Sequence, residues 1–425
     1  MTEVRLDLHS AFSTAAVTGT NGKTTTTSMI EAIVATSGEP HARVTTLGAW
    51  VSGEPVVEGP TLEAFARAIE LGAAAGIRTL ALETTSRALA EGFAHRWPAR
   101  VAVFTNLSRD HLDYHGDPEH YLAAKAQLFM LLPPDGCAVL NACDPASALL
   151  DEVTPKGVRR LAYAGQRSRI VPECSALPLA LAAARVEVTR AGTRAVLEPG
   201  ELAGALGGEL SLAVVGEHNV DNALAAALAA HALGYEAPVI ARGLASFAGV
   251  RGRFERVFGD PAVVVDYAHT PDALDRTLEL ARRLAGAGRV VCVFGCGGGS
   301  DPGKRAEMGR VAAHWCDDVI VTSDNPRDED PAEIARAIVA GAAGEGGAAR
   351  GRRQVDREVC LTTELDRGLA IRRAIEIAEL GRGDIVVIAG KGHETTQWIG
   401  QSTFPFDDAE VARVACRDRF ERQDG

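Results

Sequence analysis

The sequence predicts an α/β protein with mostly parallel sheets, organised as two successive domains. Three observations lead there. Short apolar runs alternate with longer Ala/Leu-rich helical stretches, the pattern of strands covered on both faces by crossover helices. The runs fall in two series, at 14–18, 78–83, 101–105 and 137–140, then at 262–266, 289–294, 317–322 and 384–389. At 425 residues the chain is also too long for one ordinary core.

The first strand candidate runs directly into Thr18-Gly19-Thr20-Asn21-Gly22-Lys23-Thr24-Thr25, and a helix-compatible run follows over 26–36. Such a strand, turn and helix N-terminus aim backbone N–H groups and the positive end of the helix dipole at one point, which makes a phosphate loop. Lys23 adds a positive charge for terminal phosphates, and the Thr24 hydroxyl is placed to ligate Mg²⁺. The strict pattern asks for glycine where Val17 stands, so the loop is a variant.

Glu83 closes the second strand candidate, and a carboxylate at a strand end suits a hard cation. After 101–105 come Thr105-Asn106-Leu107-Ser108-Arg109-Asp110-His111-Leu112-Asp113-Tyr114-His115-Gly116. Open α/β sheets gather ligands beyond the carboxyl ends of their strands, so His111 is a candidate metal ligand, with a structural hydrogen-bonding role as the alternative. Lys125, in the helical run 121–125, reads from composition as an ordinary exposed lysine. The stretch 166–215 alternates more and carries the turn signals Thr189-Arg190-Ala191-Gly192 and Gly207-Gly208, which predicts a small antiparallel element. A glycine- and arginine-rich joint, Gly249-Val250-Arg251-Gly252-Arg253-Phe254-Glu255, sets the boundary near 256 and gives domains 1–255 and 256–425. The Gly/Ala-rich segment 341–351 reads as a flexible surface connection.

Composition narrows the partners. A net charge of −12 with no basic stripe argues against nucleic acid. No run approaches the roughly 18 apolar residues of a membrane span, and the polar start has no leader character, so a cytoplasmic location is expected. The eight cysteines include no Cys-x-x-Cys pair, which suggests neither a zinc site nor a disulfide framework. Cys292 and Cys296 read as loop packing rather than catalysis.

The strings at 18–25, Glu83, 105–116 and 119–125 occur in the order found in the Mur ligases. Further matches are Gly216-Glu217-His218-Asn219-Val220-Asp221-Asn222, Gly252-Arg253-Phe254-Glu255, Val265-Asp266-Tyr267-Ala268-His269-Thr270-Pro271-Asp272 and Gly295-Cys296-Gly297-Gly298. Gly303-Lys304-Arg305, Asp324-Asn325-Pro326-Arg327 and Gly390-Lys391-Gly392-His393-Glu394 complete the set. The chain resembles this family over nearly its whole length, and within it the MurE-type, tripeptide-forming branch.

That resemblance implies a P-loop-type central ATP-binding domain and a Rossmann-like C-terminal domain that binds an amino acid. It implies ATP and two Mg²⁺ ions, with Gly19, Thr20, Asn21, Gly22, Lys23, Thr24 and Thr25 around the phosphates and one metal at Thr24. Glu83 and His111 would ligate the second metal, aided by Lys125 once CO₂ has carbamylated it. Asn219 and Asn222 would face the adenine, Arg253 and His269 the phosphates, and Asp266 the ribose. Lys23, Lys125, His111, Glu83 and Arg253 form the implied catalytic set.

The implied chemistry is attack of an acceptor carboxylate on the γ-phosphorus, followed by attack of an amine on the resulting acyl phosphate. Asp324-Asn325-Pro326-Arg327 resembles the motif of members that add meso-diaminopimelate. Arg327 would grip the far carboxylate with help from Arg305, Glu394 would accept from the ammonium, and Asp324, Asn325 and Gly390 would line the same site.

On the acceptor side the sequence departs from the family. The phosphate loop starts at residue 18, so the family's N-terminal UDP-binding domain is not expected ahead of it. The paired threonines are reduced to Glu58-Gly59-Pro60-Thr61, the usual Ser-Ser-His is replaced by Thr85-Ser86-Arg87, and the segment 88–96 is longer. Ser86 is kept as the acceptor-side candidate. The expected activity is therefore an ATP-dependent amide ligase acting on a UDP-muramoyl dipeptide, with a partner chain as one source of acceptor recognition. A smaller carboxylate acceptor is the first alternative, and a non-catalytic ATP-binding scaffold is the second.

Overall fold

Strands covered on both faces have no solvent side to alternate toward, so their sequences are continuous apolar runs. Val290–Phe294 and Ile385–Ala389 are such runs, buried at every position. The computed structural model describes residues 6–421, apart from 60–61, 109, 111, 260–261, 300 and 349–358. His111, Pro60, Thr61 and residues 349–351 of the glycine-rich segment thus lie outside the described residues. The chain divides into two compact units, Met1–Ala248 and Gly249–Gly425.

In the first unit eleven strands form one sheet. They are β1 (Ser13–Thr18), β2 (His41–Thr45), β3 (Gly48–Val51), β4 (Glu54–Glu58), β5 (Thr79–Glu83), β6 (Val101–Phe104), β7 (Cys137–Asn141), β8 (Arg159–Ala164), β9 (Leu179–Thr189), β10 (Gly192–Leu197) and β11 (Glu209–Leu212). The order is β11-β10-β9-β8-β7-β6-β1-β5-β2-β3-β4. From β9 to β2 every pairing is parallel, with β1 between β5 and β6. The expected antiparallel element is β9-β10-β11, which continues the parallel sheet. A second antiparallel extension, β2-β3-β4, was not expected from sequence. The helix after the phosphate loop is Lys23–Thr36, so it begins inside the loop motif, three residues before the predicted run. A Cβ on Gly243 would collide with the Ile33 backbone, which shows how closely the helix Ala237–Ser246 lies on Lys23–Thr36.

The second unit carries β12 (Glu255–Phe258), β13 (Val263–Asp266), β14 (Val290–Phe294), β15 (Asp318–Val321), β16 (Cys360–Thr363) and β17 (Ile385–Ala389), in the order β12-β13-β17-β14-β15-β16. Only β12 is antiparallel. A separate hairpin joins β18 (Thr396–Ile399) and β19 (Ser402–Pro405). The core packs Val263, Val265, Val291, Val293 and Ile388 against the helices Arg367–Ile377 and Asp408–Glu421.

One sequence expectation is corrected here. The glycine-rich segment is not a surface connection as far as Ala348, because the helix Pro331–Ala348 runs through it. Gly341 serves close packing, since a Cβ there would strike the Ala306 backbone, and from the facing helix a Cβ on Gly309 would strike Ile338 O. Gly341→Val is accordingly expected to lower the thermal midpoint by about 5 °C. Helix propensity gains less than about 1 kcal/mol from losing a glycine, whereas overpacking costs roughly 1–3 kcal/mol or more. A midpoint at or above wild type would contradict the close approach. No helix among the described residues is long and apolar enough to cross a membrane.

Candidate functional site

The carboxyl ends of β1, β5 and β6 lie side by side, and the loop 18–22 rises from the middle one. Its glycines are required by geometry. Gly19 (φ 146°) and Gly22 (φ 84°) have left-handed backbones, and a Cβ would collide with Thr105 Oγ1 at the first and Asn222 Oδ1 at the second. The loop is fixed to the end of β6 by Thr20 N donating to Asn106 O (2.8 Å), Asn21 N donating to Asn106 Oδ1 (2.9 Å) and Thr105 Oγ1 donating to Asn21 O (2.6 Å). Lys23 Nζ donates to Thr20 O at 2.8 Å and so bends over its own loop. Thr25 is half-buried in the first turn of the helix.

Asn219 and Asn222, on the helix His218–Ala232, are both buried. Asn222 accepts from Thr26 Oγ1 (3.2 Å) and donates to Asn219 Oδ1 (3.3 Å), and Asn219 donates to Val215 O (2.9 Å). The first of these braces the phosphate loop beneath Gly22, a role that sequence did not suggest.

Glu83, at the tip of β5, is buried beside the loop. Its Oε2 accepts from Thr24 Oγ1 (2.9 Å), Thr46 N (3.0 Å) and Thr46 Oγ1 (3.2 Å). Thr46 was not picked from sequence, because only the fold brings the end of β2 beside β5. The hydroxyls of Thr18 and Thr84, at the ends of β1 and β5, are buried with no hydrogen-bond partner. One carboxylate and several hydroxyls beside a phosphate cradle fit Mg²⁺, which takes few protein ligands and completes its shell with phosphate and water.

Lys125 corrects its composition-based reading. On the helix Pro118–Met130 it is 1% exposed, with Nζ donating to Gly19 O (2.8 Å) and lying 4.1 Å from the Tyr121 ring centre. Burial first, and the nearby Lys23 charge second, hold its amine well below the usual lysine range. Tyr121 shares a hydrogen bond with Thr20 Oγ1 (3.2 Å), and burial pushes its phenol up to about 12. Ser86 Oγ shares a hydrogen bond with His115 Nε2 (2.9 Å), whose ring lies 5.2 Å from Tyr121. Lys125, Tyr121, His115 and Ser86 therefore line one wall.

In the second unit, Asp266 ends β13 and accepts from Phe254 N (2.6 Å), Ala268 N (2.8 Å) and Thr277 Oγ1 (3.2 Å). Burial raises its carboxyl pKa despite the adjacent Arg253. The Arg253 guanidinium lies 4.5 Å from the Tyr267 ring centre, and the His269 ring 4.6 Å from it. Tyr267 also meets the ring of His393 at 5.1 Å, which joins this group to the loop after β17.

The loops after β15 and β17 interlock. Lys391, wholly buried, donates to Asn325 Oδ1 (3.0 Å) and Glu394 Oε2 (2.9 Å), and Asn325 Nδ2 donates to the same Glu394 oxygen (2.8 Å). Asp324 is buried 3.8 Å from Lys391 Nζ, and burial raises its pKa. A Cβ on Gly390 (φ 112°) would come within 3.0 Å of Asp324 Oδ2. Arg327 Nη1 donates to Gly298 O (3.0 Å), and Arg305 Nη2 donates to Glu329 Oε2 (2.8 Å), while Arg305 Nε is buried without a partner. Beneath both loops lies Arg367, fully buried with Asp408. It donates to both Asp408 carboxylate oxygens (2.7 and 2.6 Å), to Ser323 O (3.2 Å) and to Ala389 O (3.0 Å). Cys292 lies within β14 rather than in a loop, and burial pushes the Cys296 thiol up to about 12, which leaves it inert.

Two domain families match the chain: the Mur ligase middle domain over residues 17–230, and the Mur ligase, glutamate ligase domain over 252–392. The UDP-N-acetylmuramoyl-L-alanyl-D-glutamate–2,6-diaminopimelate ligase of Thermosynechococcus vestitus is 40% identical over 414 residues, covering 96% of this chain and 77% of its own. The enzyme of the same name from Synechococcus elongatus is 39% identical over 411 residues, covering 95% and 76%. A solved structure of a UDP-N-acetylmuramoyl-L-alanyl-D-glutamate–2,6-diaminopimelate ligase superposes with a TM-score of 0.65 at 32% identity, covering 96% of this chain and 79% of that one. With both domains matched and the phosphate loop, strand-end carboxylate and interlocked second-unit loops in place, the chain belongs to the Mur ligase family of ATP-dependent acid–amino-acid ligases.

Proposed function

We propose that the chain joins meso-diaminopimelate to the D-glutamyl carboxylate of UDP-N-acetylmuramoyl-L-alanyl-D-glutamate, at the expense of ATP. The observation that carries the ligase reading is the Thr24–Glu83 hydrogen bond of 2.9 Å, at the rim of a phosphate loop whose back wall is the buried Lys125. The names of the 40% and 39% identical relatives support the choice of acid and amine.

In this reading residues 19–25 cradle the ATP phosphates, and Lys23 releases Thr20 O to neutralise the terminal ones. Thr24, Glu83, His111 and a carbamate on Lys125 would hold Mg²⁺, which would screen the negative charge that phosphoryl transfer brings together. The depressed amine pKa of Lys125 leaves a neutral nitrogen available to add to CO₂ with loss of a proton, which turns the neutral amine into an anionic carbamate. Asn219 and Asn222 support the adenine side, Arg253 and His269 the phosphates, and Asp266 the ribose. Ser86 orients the acceptor, whose carboxylate oxygen forms a bond to the γ-phosphorus as ADP leaves. The incoming amine then adds to the acyl carbonyl, loses a proton and expels phosphate, leaving an amide. Arg305 and Arg327 face the far carboxylate of diaminopimelate, while Asp324, Asn325, Gly390 and Glu394 face its far ammonium. Reliance on ATP fits a cytoplasmic location.

The test is phosphate release from Mg-ATP with diaminopimelate, using the UDP-dipeptide or a panel of smaller carboxylates, with mass detection of the product. A new amide on the UDP-dipeptide supports the reading. Turnover only with a smaller carboxylate would replace the acceptor and keep the ligase chemistry. Silence with every acceptor would remove the ligase reading altogether.

A further inference from the structure

The hairpin β18–β19 has no part in the function so far, and its outer face is open to solvent, with Trp398 52% and Phe404 49% exposed. An isolated two-stranded hairpin is marginal. This one is sewn to the loop after β15. Gln397 Nε2 donates to Asp324 O (2.8 Å), Trp398 N to Asn325 Oδ1 (3.1 Å), and Gln401 Nε2 to Asp328 Oδ1 (2.7 Å). Arg327 is held on both sides: its N–H donates to Trp398 O (3.1 Å), and its carbonyl accepts from Gly400 N (2.7 Å). Every residue from Asp324 to Asp328 except Pro326 is thus gripped by the hairpin.

The grip acts where the backbone is least comfortable. Arg327 has φ 53°, one of only a few non-glycine residues with positive φ among the described residues. Glycine or asparagine would occupy that conformation with less strain, so an arginine there points to a demand for its side chain. The neighbours across the loop are equally constrained, since Asn325 is tied to Lys391 and Glu394 as well as to Trp398 N. The hairpin therefore fixes the spacing between the Arg327 main chain, from which the guanidinium reaches Gly298 O, and the Asn325–Glu394 pair.

We propose that the hairpin Thr396–Pro405 is the specificity brace of the amino-acid site and that Gln397, buried and bonded to the Asp324 carbonyl, is its positioning residue. It selects an amino acid whose far end presents an ammonium and a carboxylate together at a fixed separation. The proposal rests on 324–327 being the amino-acid loop of the preceding reading, and the experiment separates the two.

Gln397→Met keeps the shape of the side chain and removes the donor. Gln401→Ala weakens the same clasp from its exposed end, and Thr403→Ala, on the exposed strand β19, serves as the control. Hydrogen–deuterium exchange of the full chain needs no substrate. Gln397→Met is expected to raise uptake about fivefold or more in 322–330 and 396–401, with β14 and β17 unchanged. In steady-state assays it should raise KM for diaminopimelate about tenfold and cut preference for diaminopimelate over lysine by a similar factor, with KM for ATP within about twofold. Gln401→Ala should move the same quantities by about two- to threefold, and Thr403→Ala should move none. Unchanged exchange in 322–330 would overturn the brace. So would a rise in both KM values together with a lower thermal midpoint, which marks general damage. If the wild type uses another amino acid, the substrate assignment falls, and the brace is judged by exchange and by KM for that amino acid.

Discussion

Lys125→Ala is expected to reduce ligation by about a thousandfold or more while leaving ATP binding largely intact. The reason is the position of the amine. It is buried against Gly19 O and depressed by burial and by Lys23, so as a cation it is poorly solvated beside a second positive charge. Conversion to a carbamate would place a negative charge there and supply oxygens where a metal shell needs them. Carbamate formation consumes the neutral amine and releases a proton, so it is favoured as pH rises and lost as pH falls. Activity in CO₂-depleted buffer should therefore fall most on the acid side and recover on adding bicarbonate. In the alanine variant, formate or acetate should restore part of the rate by entering the space left by the side chain. Full activity in Lys125→Ala, or a loss that no small carboxylate repairs, would remove the carbamate role.

Glu83→Ala should cost about a hundred- to a thousandfold in turnover. The carboxylate is the shared acceptor for Thr24 and Thr46, so its removal loosens the first turn of the phosphate-loop helix as well as the proposed metal position. Glu83→Gln separates these effects, because the amide keeps an acceptor oxygen and loses the charge. It should fold like the wild type and require several-fold more Mg²⁺ for half-maximal phosphate release. An unchanged Mg²⁺ requirement in Glu83→Gln would mean that Glu83 only braces the loop.

Much of this architecture is legible in the sequence because it depends on local pattern. The eight quoted runs all became strands, since a doubly covered strand must be apolar throughout, and the loop at 18–25 declares itself through its glycines and flanks. What escaped depends on residues distant in sequence. Thr46 reaches Glu83 only because β2 lies beside β5, and Asn222 reaches Gly22 across most of the first unit. The helix through 341–348 was misread because glycine signals flexibility locally, whereas here it marks contact with a helix some thirty residues earlier. Lys125 looked exposed because composition does not report depth. The brace on Arg327 was invisible because backbone hydrogen bonds leave no mark on residue identity.

The guanidinium of Arg367 has a consequence for how such an enzyme can change. It binds the carbonyls of Ser323 and Ala389 at once, and a buried Asp408 holds it from behind, so the loops after β15 and β17 hang from one shared anchor. A substitution that shifts one loop is transmitted to the other, and effects in the two will not add. Routes to a new amino-acid preference are therefore epistatic, and they favour paired changes across 324–327 and 390–394 over any series of single steps.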